Sequence, residues 1–218
     1  MPLSLDKLNI VHYIYIVKFM GTKERKQRDK KEMVDNILNA AMKLFLTHGY
    51  KNVTIRKIAH EIEYSPAAIY LYFKDKEEIL LALQTLAFGK FYEAQISVQN
   101  IEDPVERLVA HGKVYIDFAL ANPEYYDLMF IMEQPVIKKP EEWHTGINSY
   151  DLLRKNVKEC TDKGLLKYDN YEAVSFALWA FVHGIAAITI KRGMMVPNEY
   201  KDAMLEGAFE FLKQSIYK

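Results

Sequence analysis

TIRKIAHEIEYSPAAIYLYFKDK, residues 54–76, is the stretch on which the reading of the fold turns. Thr54 carries an oxygen able to cap a helix, and Ile55, Ile58, Ala59 and Ile62 follow at helical spacing, so that helix buries one face. The apolar pattern stops at Glu63–Tyr64. Ser65 then supplies a second cap oxygen, and Pro66 takes the first helical position, where its missing N–H is not needed and its fixed φ suits a helix. The second helix carries the small residues Ala67 and Ala68, then Tyr70 and Tyr72. Two short helices joined by a tight turn make a helix-turn-helix, a unit whose second helix fits a DNA major groove.

Ile69 and Phe73 are spaced to face the core, which leaves Ala67, Ala68, Leu71 and Tyr72 outward. That face has no Arg, Asn or Gln for a bidentate base contact. Ala67, Ala68 and Leu71 can touch thymine methyls instead, while the Tyr70 and Tyr72 hydroxyls reach phosphates. Direct base reading then falls to Arg56 and Lys57, which lie off the apolar face of their helix. Downstream, Asp75-x-x-Glu78 is a capping box that starts a fourth helix. Lys76 stands in its first turn, where the dipole disfavours a cation by up to about 1 kcal/mol unless a phosphate is near. Upstream, Met33, Val34, Ile37, Ala41, Leu44 and Phe45 form a core-facing stripe on a first helix expected from Asp29 to Gly49. Lys23–Lys31 reads either as the solvated start of that helix or as an arm toward DNA phosphates.

From Ile37 to Leu81 the sequence resembles the DNA-binding domain of TetR-type transcriptional regulators. The resemblance lies in the alanine-rich helix ending in Leu44–Phe45, then Gly49–Tyr50, Thr54, Ile58–Ala59, Ser65, Ile69–Tyr70, Tyr72–Phe73, Lys76–Glu77–Glu78 and Leu80. It implies an all-α homodimer that binds operator DNA until a small molecule enters a larger C-terminal helical bundle. It also implies that Thr54 and Lys76 meet phosphate. The DNA-binding set is therefore Thr54, Arg56, Lys57, Ser65, Ala67, Ala68, Tyr70, Leu71, Tyr72 and Lys76. Glu63 departs from the family, which usually has glycine in the turn, and either strains the turn or shifts its geometry.

The expected organisation is an N-terminal extension over 1–20, the helix-turn-helix domain over 21–80 and an effector-binding and dimerisation domain over 81–218. Three readings stand for residues 1–19: an upstream extension of a chain that starts at Met20, an extra helix packed on the body, or an apolar arm contacting another subunit. Formal charge is zero over the 218 residues but uneven: residues 21–76 hold twelve Lys or Arg against seven Asp or Glu, and residues 77–218 fifteen against twenty-one. Polyanion binding thus belongs to the front of the chain. A single cysteine, Cys160, excludes an internal disulfide framework and suits a reducing cytoplasm. No apolar run is expected to approach the roughly 18 residues that span a bilayer, so no membrane partner is expected.

Beyond Ile79 the pattern stays helical, with caps or stops at Asp103–Pro104, Asn122–Pro123, Gly164, Asn170 and Gly193. An all-α bundle of about nine helices follows. Ala173–Ile190 is apolar nearly all round, so it is central to its domain or part of an inter-subunit bundle. Within it, Trp179-x-x-x-His183–Gly184 resembles a signature of one TetR-type subgroup. The last segment, with Ala203, Met204, Ala208, Phe209 and Leu212, offers a partner face for a homodimer through the last two helices. His111, Tyr115, Phe118, Tyr126, Phe130, Trp143, Tyr150, Trp179 and His183 are the candidate effector-binding residues, since effector pockets are mostly apolar with a few polar anchors. Each is also an ordinary core residue type.

Glu141-x-x-His144 lacks the second copy that a carboxylate-bridged metal pair requires, so no metal or cofactor is expected. No nucleophile elbow, phosphate loop or dinucleotide fingerprint is present, so no catalytic residue is assigned. The residues point to a cytoplasmic ligand-responsive repressor, with a helical lipid or small-molecule carrier, or an enzyme using the apolar interior, as the alternative.

Overall fold

The computed structural model describes residues 7–132, 144–192 and 198–218, and these form nine α-helices and no strand. In order they are α1 (Lys7–His48), α2 (Ile55–Glu61), α3 (Pro66–Tyr70), α4 (Lys76–Ile96), α5 (Pro104–Ala121), α6 (Pro123–Tyr126), α7 (His144–Asp162), α8 (Tyr171–Arg192) and α9 (Lys201–Ile216). The chain divides between Leu80 and Leu81 into two compact units. Of the expected caps and stops, Gly193 lies outside the described residues, as do Glu141 and Trp143.

In the first unit, α1 does not begin at Asp29 as its apolar stripe suggests; the backbone is helical without a break from Lys7. Gly21 alone costs a helix only about 1 kcal/mol relative to alanine, and the Lys, Arg, Glu and Gln residues that follow are good helix formers. Residues 7–20 therefore continue α1 and are not a separate element. Gly49, at φ +76°, ends α1 and donates its N–H to Phe45 O. A single 3₁₀ turn, Tyr50–Asn52, leads to α2. Ile37, Ala41 and Phe45 from α1, Ile58 and Ala59 from α2, and Ile69 from α3 are all buried to 1% exposure or less. Each fully buried isoleucine contributes about 1.5–3 kcal/mol, enough to hold helices of seven and five residues that would not form alone.

The turn between α2 and α3 has a definite geometry. Tyr64 N–H bonds Ala59 O at 2.9 Å and Glu63 N–H bonds His60 O at 3.2 Å, the paired hydrogen bonds of a Schellman cap. Glu63, at φ +59°, occupies the position that normally takes glycine, and no other non-glycine among the described residues has a positive φ. The same motif closes α7, where Leu165 N–H bonds Cys160 O and Gly164 N–H bonds Thr161 O. There the left-handed position is a glycine, at φ +65°. Of the two outcomes open for Glu63, the turn keeps its glycine-type geometry and carries strain.

In the second unit α5 packs on α7 and α8, which also pack on each other. The Asp103 carboxylate accepts from Val105 and Glu106 N–H at 2.8 Å to start α5, and Asn170 accepts from Ala173 N–H to start α8. After α6 a π turn, Asp127–Ile131, closes with Met132 N–H on Asp127 O. Tyr171–Lys191 is long and apolar enough to cross a membrane by length and composition, which corrects the expectation that no run reaches that length. Ser175, His183 and Thr189 interrupt the run, yet its mean hydropathy is still 1.9. Its Val174, Leu178, Val182 and Ala186 are buried in the unit's core.

The outward face of α9 also differs from expectation. Phe209 is 6% exposed and Leu212 packs inward, whereas Met204 and Phe211 stand open at 53% and 68%. The interior of the unit takes 209 and 212, so the free stripe is rotated to 204, 207 and 211.

Candidate DNA-binding surface and ligand cavity

Two caps build the front surface. Lys57 N–H donates to Thr54 Oγ1 and Ala68 N–H donates to Ser65 Oγ, each at 3.3 Å, so both hydroxyls use their lone pairs inward and keep an O–H to give. With Ile69 fully buried, α3 turns Ala67, Tyr70 and Leu71 to solvent; Leu71 is 81% exposed. Ala68 and Tyr72 are half-buried at the edge of this face. Arg56 is exposed, with no hydrogen bond or ion pair among the described residues. Lys57 is exposed but donates to Asn52 O at 2.8 Å.

Lys76 has a second role that spacing alone did not show. Its ammonium donates to Tyr50 O and Val53 O at 2.8 Å each and lies 4.1 Å from the centre of the Tyr50 ring. Desolvation lowers its pKa. Two of its three N–H groups tie the 3₁₀ turn to the start of α4, and one remains for an outside acceptor.

The second unit contains a cavity of about 290 Å³. Its wall includes Phe88, Phe91 and Gln95 of α4, His111, Gly112 and Tyr115 of α5, and Phe130 of the π turn. Ser149, Tyr150 and Leu153 of α7, Leu178, Trp179 and Val182 of α8, and Phe209, Leu212 and Lys213 of α9 also line it. Of the expected effector residues, His111, Tyr115, Phe130, Tyr150 and Trp179 line it. Phe118, Tyr126 and His183 do not; they form the layer behind, because α5, α6 and α8 turn them into the packed core. Trp143 lies outside the described residues.

That layer holds the wall in place. Tyr115 O–H lies 3.0 Å from His183 Nδ1, while the Tyr126 hydroxyl lies 3.2 Å from both that nitrogen and His183 O. The Tyr126 hydroxyl donates to the His183 carbonyl, which leaves Nδ1 to pair with the Tyr115 hydroxyl. Burial raises both phenols, Tyr126 to about 12, and lowers His183, so all three are neutral at pH 7. At the other end, His111 is 3% exposed and burial pushes its imidazole down to about 4. Its Nε2 lies 3.1 Å from the Gln95 amide and its Nδ1 lies 3.4 Å from that of Asn156.

Gln95 and Ser149 were not among the expected site residues. The signal was present: Phe88, Phe91 and Gln95 share one helix face, as do Ser149, Leu153, Asn156 and Cys160, so polar residues sit in inward stripes.

Comparison with known proteins agrees with both units. Residues 37–83 match the tetR family of bacterial regulatory proteins, and residues 108–212 match the tetracyclin repressor-like C-terminal domain. The chain is 31% identical over 160 residues to the HTH-type transcriptional regulator HbdR of Aromatoleum sp. (strain CIB), covering 67% of this chain and 68% of the relative. It is 38% identical over 104 residues to a fatty acid metabolism regulator protein of Bacillus subtilis, 48% of each chain. The fatty acid degradation regulator FadR from Bacillus halodurans superposes with a TM-score of 0.67 at 18% identity, over 82% of this chain and 93% of that one. The regulator PfmR from Thermus thermophilus does so at 0.64 and 22% identity, over 80% and 97%. With a helix-turn-helix unit that matches at its front and a helical C-terminal domain that matches behind it, this chain belongs to the tetR family of bacterial DNA-binding transcriptional regulators and is not an enzyme.

Proposed function

We propose that the protein is a homodimeric cytoplasmic repressor that leaves its operator when a small, largely apolar molecule enters the cavity of the second unit. The observation that carries this reading is the cavity itself, whose wall includes Phe88, Phe91 and Gln95 on the same continuous helix that begins at Lys76. A ligand that shifts this wall acts on a helix whose first turn is tied to the Tyr50–Asn52 turn through Lys76. Relatives named as regulators of fatty acid metabolism and degradation are in keeping with an apolar effector.

On the DNA side, Thr54, Ser65, Tyr70, Tyr72 and Lys76 hold phosphates. Arg56 and Lys57 read base edges, and Ala67, Ala68 and Leu71 meet thymine methyls. The dimer forms through α8 and α9. The support for this is apolar surface left open on both: Phe176 and Ile188 on α8 are each 60% exposed, and Met204 and Phe211 on α9 extend it. Ala177, Ala180 and Gly184 on the open side of α8 leave room for a close partner helix. Two heads on one dimer engage half-sites about 34–36 Å apart, and ligand and DNA then weaken each other's binding reciprocally.

The test is selection of a duplex from a random pool, followed by anisotropy titration with the full chain. A tight duplex, affinity that falls steeply as salt rises, and about ten-fold or greater loss in Tyr70→Ala or Arg56→Ala with the dimer intact are expected. Absence of duplex binding at low salt would overturn the proposal.

A further inference from the structure

The cavity that the proposed function assigns to an effector has an unfinished polar end. Gln95 is 2% exposed and Ser149 4%, and both line the cavity. Both carry a buried oxygen with no hydrogen-bond partner among the described residues, Gln95 Oε1 and Ser149 Oγ. Such orphans are rare in folded proteins, because a buried polar group left unpaired costs about 1–3 kcal/mol.

The chemistry of His111 makes the deficit unavoidable. A neutral imidazole has one N–H and one acceptor nitrogen, yet amides approach both: Gln95 on Nε2 at 3.1 Å and Asn156 on Nδ1 at 3.4 Å. One amide must offer its oxygen and the other its NH₂. If Gln95 gives its NH₂ to the ring, its oxygen is left over as an acceptor. If it turns its oxygen to the ring, its NH₂ is left over as a donor. Either way one end of the amide of Gln95, a residue of the cavity wall, is unspent, and the Ser149 hydroxyl, which can give or accept, is unspent as well.

The charge of this end is equally definite. Gln95, Asn156 and Ser149 are neutral by chemistry, and burial keeps His111 neutral at pH 7. Of the cations around the cavity, Lys213, which lines it, is ion-paired with Glu210 at 2.8 Å, Arg107 is paired with Glu159 and donates to Ile101 O, and Lys113 stands 5.9 Å from the centre of the Phe209 ring. A carboxylate carried to Gln95 would meet the neutral His111 and Asn156 side chains behind it, and burying an unpaired ion is far costlier than burying a paired dipole. For size, an engineered apolar cavity of about 150 Å³ holds benzene. A cavity of about 290 Å³ on that scale holds about a dozen non-hydrogen atoms.

We infer that the effector is an uncharged oxygen- or nitrogen-bearing hydrocarbon of about a dozen non-hydrogen atoms, such as an alcohol, amide or ester, held by Gln95 and Ser149. This rests on the cavity being the effector site, and the test separates the two. Decan-1-ol, decanamide, decanoate and decylammonium are titrated into the full-length protein at pH 7.5, with tryptophan fluorescence as the readout because Trp179 lines the cavity. The alcohol and the amide are expected to bind about ten-fold or more tightly than either ion. Gln95→Leu, which keeps the volume, should weaken the alcohol and amide about ten-fold and leave the ions unchanged. Ser149→Ala is the milder second variant and should act in the same direction.

Decanoate binding as tightly as the alcohol, or affinity unchanged in both variants, overturns the assignment of a neutral head group while leaving the cavity as the effector site. If none of the four probes binds, the cavity is no effector site for such molecules and both readings fall.

Discussion

Glu63→Gly should make the protein more stable although it removes a side chain. Glu63 is exposed, has no hydrogen bond or ion pair from its side chain among the described residues, and stands at φ +59° in the cap that closes α2. An L-residue held in that region costs about 1–2 kcal/mol. Glycine removes the strain but gives the unfolded chain extra freedom worth about 0.4–1 kcal/mol. The net gain is about 0.5–1 kcal/mol, a rise in melting temperature of about 2–3 °C for a protein of this length. Both cap hydrogen bonds, from the N–H groups of residues 64 and 63, are kept by glycine, as Gly164 shows at the end of α7. Glu63→Gln isolates the backbone cause: it removes the charge and keeps the strain, so its melting temperature should stay within about 1 °C of the parent. Circular dichroism melts of the three proteins, at equal concentration, decide the matter. A Glu63→Gly melt no higher than the parent's, or an equal gain in Glu63→Gln, refutes the strain argument.

Lys76→Met should lower stability by about 1–2 kcal/mol, read in a urea titration, because it strips the donor from Tyr50 O and Val53 O. Any loss of DNA binding in that variant has to be measured well below its melting point, and an unchanged urea midpoint would deny Lys76 its structural role. His111 is neutral when folded down to about pH 4, whereas it titrates near 6.5 when unfolded. The unfolded chain therefore takes up the extra proton between those values. The stability linked to His111 is complete above about pH 6.5 and drains away as pH falls toward 4, by about 3 kcal/mol in all. Comparing urea unfolding of the parent and His111→Gln at pH 7 and pH 4.5 should show the smaller pH loss in the variant, and equal losses would contradict the buried neutral ring. Phe211→Asp places a charge on the open face of α9 and should give a 25.5 kDa monomer by light scattering while the helical signal is kept; a dimer of undiminished stability would move the interface elsewhere.

What could be read from sequence was whatever depends on local spacing. Thr54 and Ser65 cap as their positions suggest, and the i, i+3, i+4 rows that place Ile58, Ile69 and Phe73 inside follow from helix periodicity alone. The Glu63 turn was legible as an anomaly, though only backbone angles separate strain from a changed path. Side chains that meet across elements were not legible. Lys76 reaches Tyr50 and Val53 across 26 and 23 residues, and His183 meets Tyr115 across 68, pairings that no local pattern encodes. The aromatic inventory of the second unit pointed to a cavity without saying which rings line it and which stand behind it. Phe130 and Tyr126, one helical turn apart, fall on opposite sides of that division. The polar end escaped notice because glutamine and serine on mixed helices read as surface residues until their neighbours are known.

The central claim is that one dimer presents two reading heads to one face of a duplex. Hydroxyl-radical footprinting on a selected operator measures this most directly. Two protected stretches centred one helical turn apart, both lost at elevated salt and both lost together on addition of decan-1-ol, are the predicted result. A single protected half-site, or protection that persists at saturating ligand, would contradict it.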